Sequence, residues 1–295
     1  MARSACTFIR ASLSPALLSA ALLAQTPAPS PTPTPRVDAT TPVETLTQLA
    51  NEGNAEALFA LGVRHQSGNG LPKDLALAVQ YWRKGAEKRH SGCQYNLGVA
   101  TLYGLGTTKD QTAGRDLLRA AADQGHHPAE VAVGMLYETG QAGYARNLEE
   151  AIRWYRKAGD GGDADGQCRM GWAYQQGKGG VARDYNQALT WFRQSANQGF
   201  ADAQMNLGAH YEEGLGVPAN PGLAFDWYKQ AAQQGHVKAQ NKVAYFYATG
   251  TGVAKDLGWA QIWWKRAAAA GSQEAKENLE KFKAMNLNGG STRRR

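Results

Sequence analysis

The chain has 295 residues, of which 43% are hydrophobic and 19% are charged, and its formal net charge is +7. The positive charge is uneven: Arg3 and Arg10 lie near the start, Arg293, Arg294 and Arg295 end the chain, and the other 27 basic residues are balanced by 25 acidic ones. A nucleic-acid-binding protein is expected to carry a basic stripe on its folded body. The charge distribution therefore argues against a nucleic-acid partner.

Residues 1–24 are typical of a secretory signal. Arg3 and Arg10 form a positive start, and the apolar run of residues 16–24 is too short to cross a bilayer. We expect cleavage after Ala24, with cleavage after Ala21 as the alternative. A disordered leader on a cytosolic protein is the competing interpretation. The favoured prediction is export across the inner membrane to the periplasm or beyond, without an integral membrane span.

Two short segments separate this leader from the main body. Residues 25–40 alternate proline with small polar residues, a composition that favours an extended, semi-rigid linker. Residues 41–53 are predicted to contain an N-terminal capping helix over about 42–51. Its start, Thr41-Pro42-Val43-Glu44, has the form of a capping box with proline at the first helical position.

One sequence pattern then recurs six times. An anchor glycine, usually after leucine, recurs at intervals of 36 or 37 residues, and alanine replaces it in the sixth copy. The anchors are Gly62, Gly98, Gly134, Gly171, Gly208 and Ala244. A fixed period of this length indicates a solenoid or a repeat array.

Each copy predicts a helix A, a glycine loop and a helix B. Six residues after each anchor stands a glycine, which suits the left-handed end of a helix. Farther on, one column holds only Asp or Asn, whose side chains cap helix N-termini. The glycines are Gly68, Gly104, Gly140, Gly177, Gly214 and Gly250, and the caps are Asp74, Asp110, Asn147, Asp184, Asn220 and Asp256.

Helix B also carries a small residue one turn in, followed by an apolar pair. Small residues opposite large ones let two helices approach closely and interlock. We therefore interpret the aromatic pairs as core. The pairs are Tyr81-Trp82, Leu117-Leu118, Trp154-Tyr155, Trp191-Phe192, Trp227-Tyr228 and Trp263-Trp264.

This pattern resembles the Sel1-like repeat, a relative of the tetratricopeptide repeat. The resemblance implies an all-α fold: a right-handed α-solenoid of about six helix-turn-helix repeats with half-repeat caps. The repeats are placed at residues 54–271, a C-terminal capping helix at 272–287 and a basic tail at 288–295. The second copy departs most, because Leu117-Leu118 replaces the aromatic pair and Arg89 replaces a turn glycine.

No pattern predicts catalysis, a cofactor or a metal ion. The histidines lack metal-ligand spacing, and His126 and His236 are interpreted as surface caps at helix starts. Cys93 and Cys168 lie two repeats apart, roughly 20 Å at ordinary helix spacings, so we expect no disulfide. Cys168 is either an accessible thiol or an inert, half-buried one. The chain is therefore predicted not to be an enzyme.

A repeated surface without reactive groups favours recognition of another molecule. The resemblance implies that helix A lines the concave side, and helical periodicity selects the positions opposite its core. Packing between neighbouring A helices is the alternative use of these residues. The predicted groove comprises the apolar Phe59, Tyr95, Met135, Trp172, Met205 and Tyr245, with Glu138, Gln175 and Glu212 as a polar rim.

The function predicted from these features is a monomeric protein- or peptide-binding adaptor in the cell envelope. The resemblance implies partners such as a membrane sensor or an envelope complex. Two alternatives stay open: a cell-wall or polysaccharide-binding protein, because aromatic side chains stack on sugars, and a hydrolase that interacts with β-lactams. The missing serine, lysine and metal motifs count against the hydrolase.

Overall fold

The computed structural model describes residues 37–291, with side chains for residues 37–282. The predicted signal, residues 25–36 of the linker and residues 292–295 lie outside this range. The described residues form fourteen α-helices without a strand, which confirms the all-α repeat fold. The helices are α1 (Val43–Asn51), α2 (Ala55–Ser67), α3 (Leu75–Glu87), α4 (Ser91–Tyr103), α5 (Gln111–Asp123), α6 (His127–Thr139), α7 (Leu148–Asp160), α8 (Ala164–Gln176), α9 (Tyr185–Asn197), α10 (Ala201–Glu213), α11 (Pro221–Gln233), α12 (Val237–Thr249), α13 (Leu257–Ala269) and α14 (Gln273–Ser291).

The even-numbered helices from α2 to α12 are the A helices, and the odd-numbered helices from α3 to α13 are the B helices. They fall into two compact units, one ending at Gly162 and the other beginning at Asp163. Within each unit a helix packs chiefly against the helices before and after it in sequence. This nearest-neighbour packing is the physical basis of a repeat fold.

The predicted helix boundaries are confirmed in all six copies. Every A helix ends at its predicted glycine, which adopts a left-handed conformation. Every B helix begins after its predicted Asp or Asn, whose side chain accepts a backbone N–H of the first turn. Arg89, which replaces a turn glycine, keeps the glycine-like φ of 60°.

The anchor glycine is where a large side chain of helix B lies against helix A. A Cβ added at Gly208 would lie 2.6 Å from the ring of Tyr228, and one at Gly62 would meet Trp82. The second residue of every apolar pair is buried, from fully buried Phe192 to 7% exposed Trp264. These second residues are therefore core, as predicted, whereas most of the first ones are only half-buried.

The capping box predicted at Thr41 was wrong. Helix α1 begins at Val43, its N-cap residue is Pro42, and no side chain caps it. The Thr41 hydroxyl instead accepts the backbone N–H of Asp38 at 2.9 Å, and the Asp38 carboxylate accepts the N–H of Thr40 at 2.8 Å. This local turn uses the Thr41 oxygen that the cap would have needed.

The last helix also differs from its prediction. Helix α14 runs to Ser291, whereas the capping helix was predicted to end at Leu287 and a tail to begin there. The helix therefore continues through Asn288 and the glycine pair at 289–290, although such residues are poor helix formers. The first part of the predicted tail is therefore helical.

Candidate functional site: the outer faces of the A helices

The sequence placed a partner-binding surface on the A helices, opposite the residues that contact helix B. The residues three before each anchor do not form an open surface in the first unit. Phe59 is 8% exposed and Tyr95 is 4% exposed. The ring of Phe59 lies 5.3 Å from that of His90, and Tyr95 stacks on His126 at 4.9 Å.

The prediction that Phe59 and Tyr95 line a groove was therefore wrong as to their exposure. His90 and His126 are the N-cap residues of α4 and α6, the A helices of the next copies. Each aromatic ring thus covers the start of the following A helix. Packing between A helices, the alternative drawn from the sequence, accounts for both residues, because a ring at this position meets its neighbour before it meets solvent.

The residues one after the anchors are more accessible in four of the six copies, whereas Val99 and Ala209 are buried. Tyr245 on α12 is 50% exposed, which makes it a large apolar residue on the surface of its A helix. Trp172 on α8 and Met135 on α6 are half-buried, as is Met205, which lies three before its anchor on α10. The Lys178 ammonium lies 5.2 Å from the centre of the Trp172 ring. The second unit therefore carries Trp172, Met205 and Tyr245 on three successive A helices.

The polar residues of the predicted rim have a structural task that the sequence did not reveal. Glu138 accepts the hydroxyl hydrogen of Tyr155 at 2.6 Å, and Glu212 accepts that of Tyr228 at 2.5 Å. Glu212 also forms an ion pair with Lys242 at 2.7 Å. Burial, together with this bond to Glu212, raises the pKa of the Tyr228 hydroxyl. Both glutamates thus satisfy buried hydroxyl groups. Gln175, which occupies the equivalent position in the fourth copy, is half-buried.

The cysteines and histidines offer no reactive site. Cys93 and Cys168 do not form a disulfide, as expected, and both are buried, at 0% and 3% exposed. Burial raises the pKa of the Cys93 thiol, which keeps it protonated and unreactive. His126 is a cap, as predicted, but it is buried and not at the surface. Across residues 37–282, no three His, Cys, Asp or Glu side chains could jointly hold a metal ion.

Two features of the described residues were missed. A buried column four before the anchor holds Leu58 in the first copy, Glu130 in the third, and glutamine in the other four, at Gln94, Gln167, Gln204 and Gln240. Helix α13 exposes three large apolar residues, Leu257, Trp259 and Ile262. Both were legible as departures from a column, because glutamate replaces glutamine in one and isoleucine replaces polar residues in the other. The predicted groove comprised residues of the A helices only.

Comparison with known proteins gives the family of this architecture. Six consecutive segments match the Sel1 repeat: residues 55–90, 91–126, 127–163, 164–200, 201–236 and 237–272. The chain belongs to the Sel1 repeat family. Sel1 repeats typically form scaffolds for protein–protein interaction. The residues matched are those of the six A and B helix pairs, and they include every anchor position and every cap.

Two solved structures of similar sequence share this fold, and a curated relative shares a shorter segment of the chain. A Sel1 repeat protein from Oxalobacter formigenes is 30% identical, with a TM-score of 0.68 over 76% of this chain and 90% of that one. A protective antigen of uropathogenic Escherichia coli, c5321, is 28% identical, with a TM-score of 0.54 over 80% and 58%. The chitin synthase regulator SKT5 of Malassezia restricta is 32% identical over 41% of this chain. The match spans only 8% of that regulator's length.

None of the described helices combines the length and the apolar character needed to cross a bilayer.

Proposed function

We propose that this Sel1 repeat chain is a non-enzymatic adaptor that binds a protein or peptide through the A helices of its second unit. The observation that carries the proposal is the exposure of Tyr245, half of whose surface is open on α12. Trp172 and Met205 stand half-buried at outer positions of α8 and α10. Aromatic residues and methionine bury much area on binding, and methionine adapts its shape to different partners.

The family supports a role exerted on other proteins. The matched relative from Malassezia restricta is named as a regulator of a synthase, although it shares only a short segment with this chain. Glu212, a polar rim residue of the second unit, already accepts a hydrogen bond from Tyr228 and pairs with Lys242. Apolar contact therefore supplies the affinity in this proposal, and Gln175 is the polar group left to set the register of a bound peptide.

The proposed location is the cell envelope, with the chain exported by its first 24 residues. The support is the positive start and short apolar run of that segment. Cell fractionation of the producing bacterium, followed by N-terminal sequencing of the purified protein, tests this. A mature chain that begins at residue 25 or 22 supports export. An intact chain in the cytosolic fraction contradicts it.

Photo-crosslinking tests the binding surface directly. A photoreactive phenylalanine analogue at position 245 should crosslink to a partner protein in living cells, whereas the same analogue at Leu105 should not. Leu105 is a matched control because it is 44% exposed but lies in a loop of the first unit. Crosslinking at both positions or at neither contradicts the proposed surface, and crosslinking to glycan strands would favour a polysaccharide binder.

Substitution of the same residues gives a second, independent readout. Tyr245→Ser should remove crosslinking from a probe at Met205 and leave the thermal unfolding of the helices unchanged, because Tyr245 is half exposed. Trp172→Ala should also reduce binding, but it should lower the melting temperature, since Trp172 packs against the core of the second unit. A loss of stability in Tyr245→Ser would show that this ring is core.

A further inference from the structure

Helix α13 differs from the other B helices on its solvent side. The sixth residue after the B-helix cap is exposed in all six copies. It is polar in five of them and isoleucine in the sixth. The residues are Gln80, Asp116, Arg153, Thr190, Asp226 and Ile262. Periodicity and packing therefore direct this position to water everywhere, yet Ile262 leaves 41% of its surface there without a polar group.

Two more large apolar residues of α13 are exposed. Leu257, the first residue of α13, is 42% exposed, and Trp259 is 47% exposed. Trp259 and Ile262, three residues apart, lie on the same side of the helix, whereas Leu257 lies on the other side. Single exposed apolar residues are ordinary on protein surfaces, but adjacent ones such as Trp259 and Ile262, called the apolar cluster below, indicate an interaction site.

The ring of Trp259 is held in place by neighbouring rings. Trp259 stacks on Tyr247 of α12, with ring centres 6.2 Å apart and planes 23° from parallel. Tyr247 in turn meets Phe225 of α11 edge to face at 5.1 Å. A tryptophan with a fixed ring orientation loses little conformational entropy on binding, which is a property of interface anchors.

The charges around the cluster are basic. Lys255, Lys265 and Arg266 are all exposed and lie just before or along α13. Asp256, the acidic residue among them, is engaged as the helix cap, because its carboxylate accepts the Trp259 backbone N–H at 2.9 Å. The Arg266 guanidinium lies 4.7 Å from the centre of the Trp263 ring. A partner that covers the apolar cluster must therefore come close to three cations.

From this juxtaposition we infer that the exposed face of α13 is a second binding site, for an amphipathic protein segment whose apolar side chains are flanked by Asp or Glu. The α13 face is defined here as Trp259 and Ile262 with Lys255, Lys265 and Arg266. Its apolar residues supply buried area, and its cations select acidic partners and speed their association. The site is separate from the proposed peptide surface on the A helices.

Two synthetic helical peptides of about 18 residues, or five turns, test the inference. Both carry the same leucine stripe, and they differ only in having glutamate or lysine beside it. By fluorescence anisotropy, the glutamate peptide should bind the full chain at least about tenfold more tightly than the lysine peptide. The difference should shrink as salt rises from about 0.1 M to about 1 M, since the Debye length falls from about 10 Å to about 3 Å. Equal affinities would overturn the inference.

Substitutions taken from the other copies test the site without disturbing the fold. Trp259→Gln with Ile262→Thr installs Gln187 and Thr190 of the fourth copy at the same exposed positions. This variant should lose at least about tenfold in affinity for the glutamate peptide. Leu105→Gln, which removes an equally exposed apolar residue elsewhere, should bind normally. Retained binding in the double variant, with unchanged circular dichroism, would overturn the inference.

Two further measurements separate other occupants of this face. Sedimentation with phosphatidylglycerol vesicles that depends on Trp259 and Ile262 would overturn the inference in favour of a membrane surface. A dimer in light scattering that the double variant abolishes would overturn it in favour of a second copy of the chain. Tyr245→Ser should leave binding of the glutamate peptide unchanged, so failure of the proposed A-helix surface and failure of this site are distinguishable.

Discussion

A single histidine that caps a helix can make the stability of the fold depend on pH. His126 caps α6 by accepting the N–H of Ala129 through Nδ1 at 3.3 Å. Burial, with smaller contributions from His90 and His127, lowers the pKa of His126 to about 4, against 6.5 for an unperturbed histidine. The folded chain therefore binds fewer protons at this site than the unfolded chain. Its stabilising contribution is complete above pH 6.5 and is lost as pH falls from there towards 4.

Replacing this histidine by asparagine should remove that pH dependence. Asn54 caps α2 in the same way, so His126→Asn keeps an acceptor at the cap but does not titrate. Between pH 7 and pH 4 the wild type should lose up to about 3 kcal/mol of unfolding free energy more than the variant. Urea unfolding at a series of pH values measures this difference. Parallel pH profiles for the two proteins would contradict it.

Glu130 is a buried charge in a column that holds glutamine in four other copies and leucine in the first. Its carboxylate is fully buried and meets His127 at 2.9 Å and Lys157 at 2.9 Å. Burial alone would raise the pKa of Glu130, but its bonds to His127 and Lys157 lower the pKa below 4.5 overall. The stabilisation from this carboxylate is therefore present above pH 4.5 and is lost at lower pH.

Substitutions around Glu130 should have unequal effects. Glu130→Gln installs the residue of four other copies, so the free energy of unfolding at pH 7 should change by less than about 1 kcal/mol. Lys157→Met leaves the buried carboxylate with His127 alone and should destabilise by about 3 kcal/mol. The double variant should recover most of that loss, as measured by urea unfolding. A double variant as unstable as Lys157→Met would show that packing of the lysine stem is what matters.

At the scale of the element, the loop glycines join successive repeats. Gly252 has a φ of +66°, and a Cβ there would lie 2.2 Å from the Pro221 carbonyl oxygen of the preceding B helix. Gly106 and Gly216 approach Leu75 and Tyr185 in the same way. Gly70, in the same column, has a φ of +73° but nothing within 4 Å of a Cβ. Within this column, the need for a left-handed conformation therefore occurs both with and without a close backbone contact.

This pair of glycines makes a matched experiment. Gly70→Ala should cost about 1 kcal/mol of unfolding free energy, because only the left-handed conformation is penalised. Gly252→Ala should cost about 2–4 kcal/mol, because overpacking adds about 1–3 kcal/mol to the same penalty. Thermal and urea unfolding of both variants measure the difference. Equal losses would mean that the loop at Gly252 moves away from Pro221 at no cost.

The elements were largely predictable because their ends are encoded locally. A cap residue and a left-handed glycine act within one turn of helix, so two columns, one of glycine and one of Asp or Asn, placed twelve helix ends correctly over six copies. Thr41 shows the limit of this reasoning. The Thr41 hydroxyl could bond either to the first turn of α1 or to the turn before it. It bonds to Asp38 in the preceding turn, and α1 is left without a side-chain cap.

At the scale of the whole molecule, one buried cysteine reports on each unit. Cys93 lies in the first unit and Cys168 in the second, and both are buried and not disulfide-bonded. In single-cysteine variants that also lack Cys6, thiol labelling requires local or global opening. Because helices of a repeat fold depend on their neighbours, Gly252→Ala should speed labelling of Cys168 more than labelling of Cys93. Equal acceleration would show that the two units open together.

The surface predicted for binding was only partly readable from sequence. Helical periodicity places Phe59, Tyr95 and Tyr245 away from helix B, but it does not say whether the next A helix covers them. Phe59 and Tyr95 meet histidine caps and are buried, whereas Tyr245 is half exposed. Glu138 and Glu212 were predicted as a rim because they are charged, and their bonds to buried tyrosine hydroxyls became visible only with helix B in place.

The sequence by itself determined the family, the number of repeats, and where each A helix ends and each B helix begins, because a period, a cap and a left-handed glycine are local signals repeated six times. The tertiary structure alone decided which outward residues stay in contact with water. That outcome depends on neighbours about 36 residues away in the chain. It buried Phe59 and Tyr95, and it left Tyr245, Trp259 and Ile262 exposed.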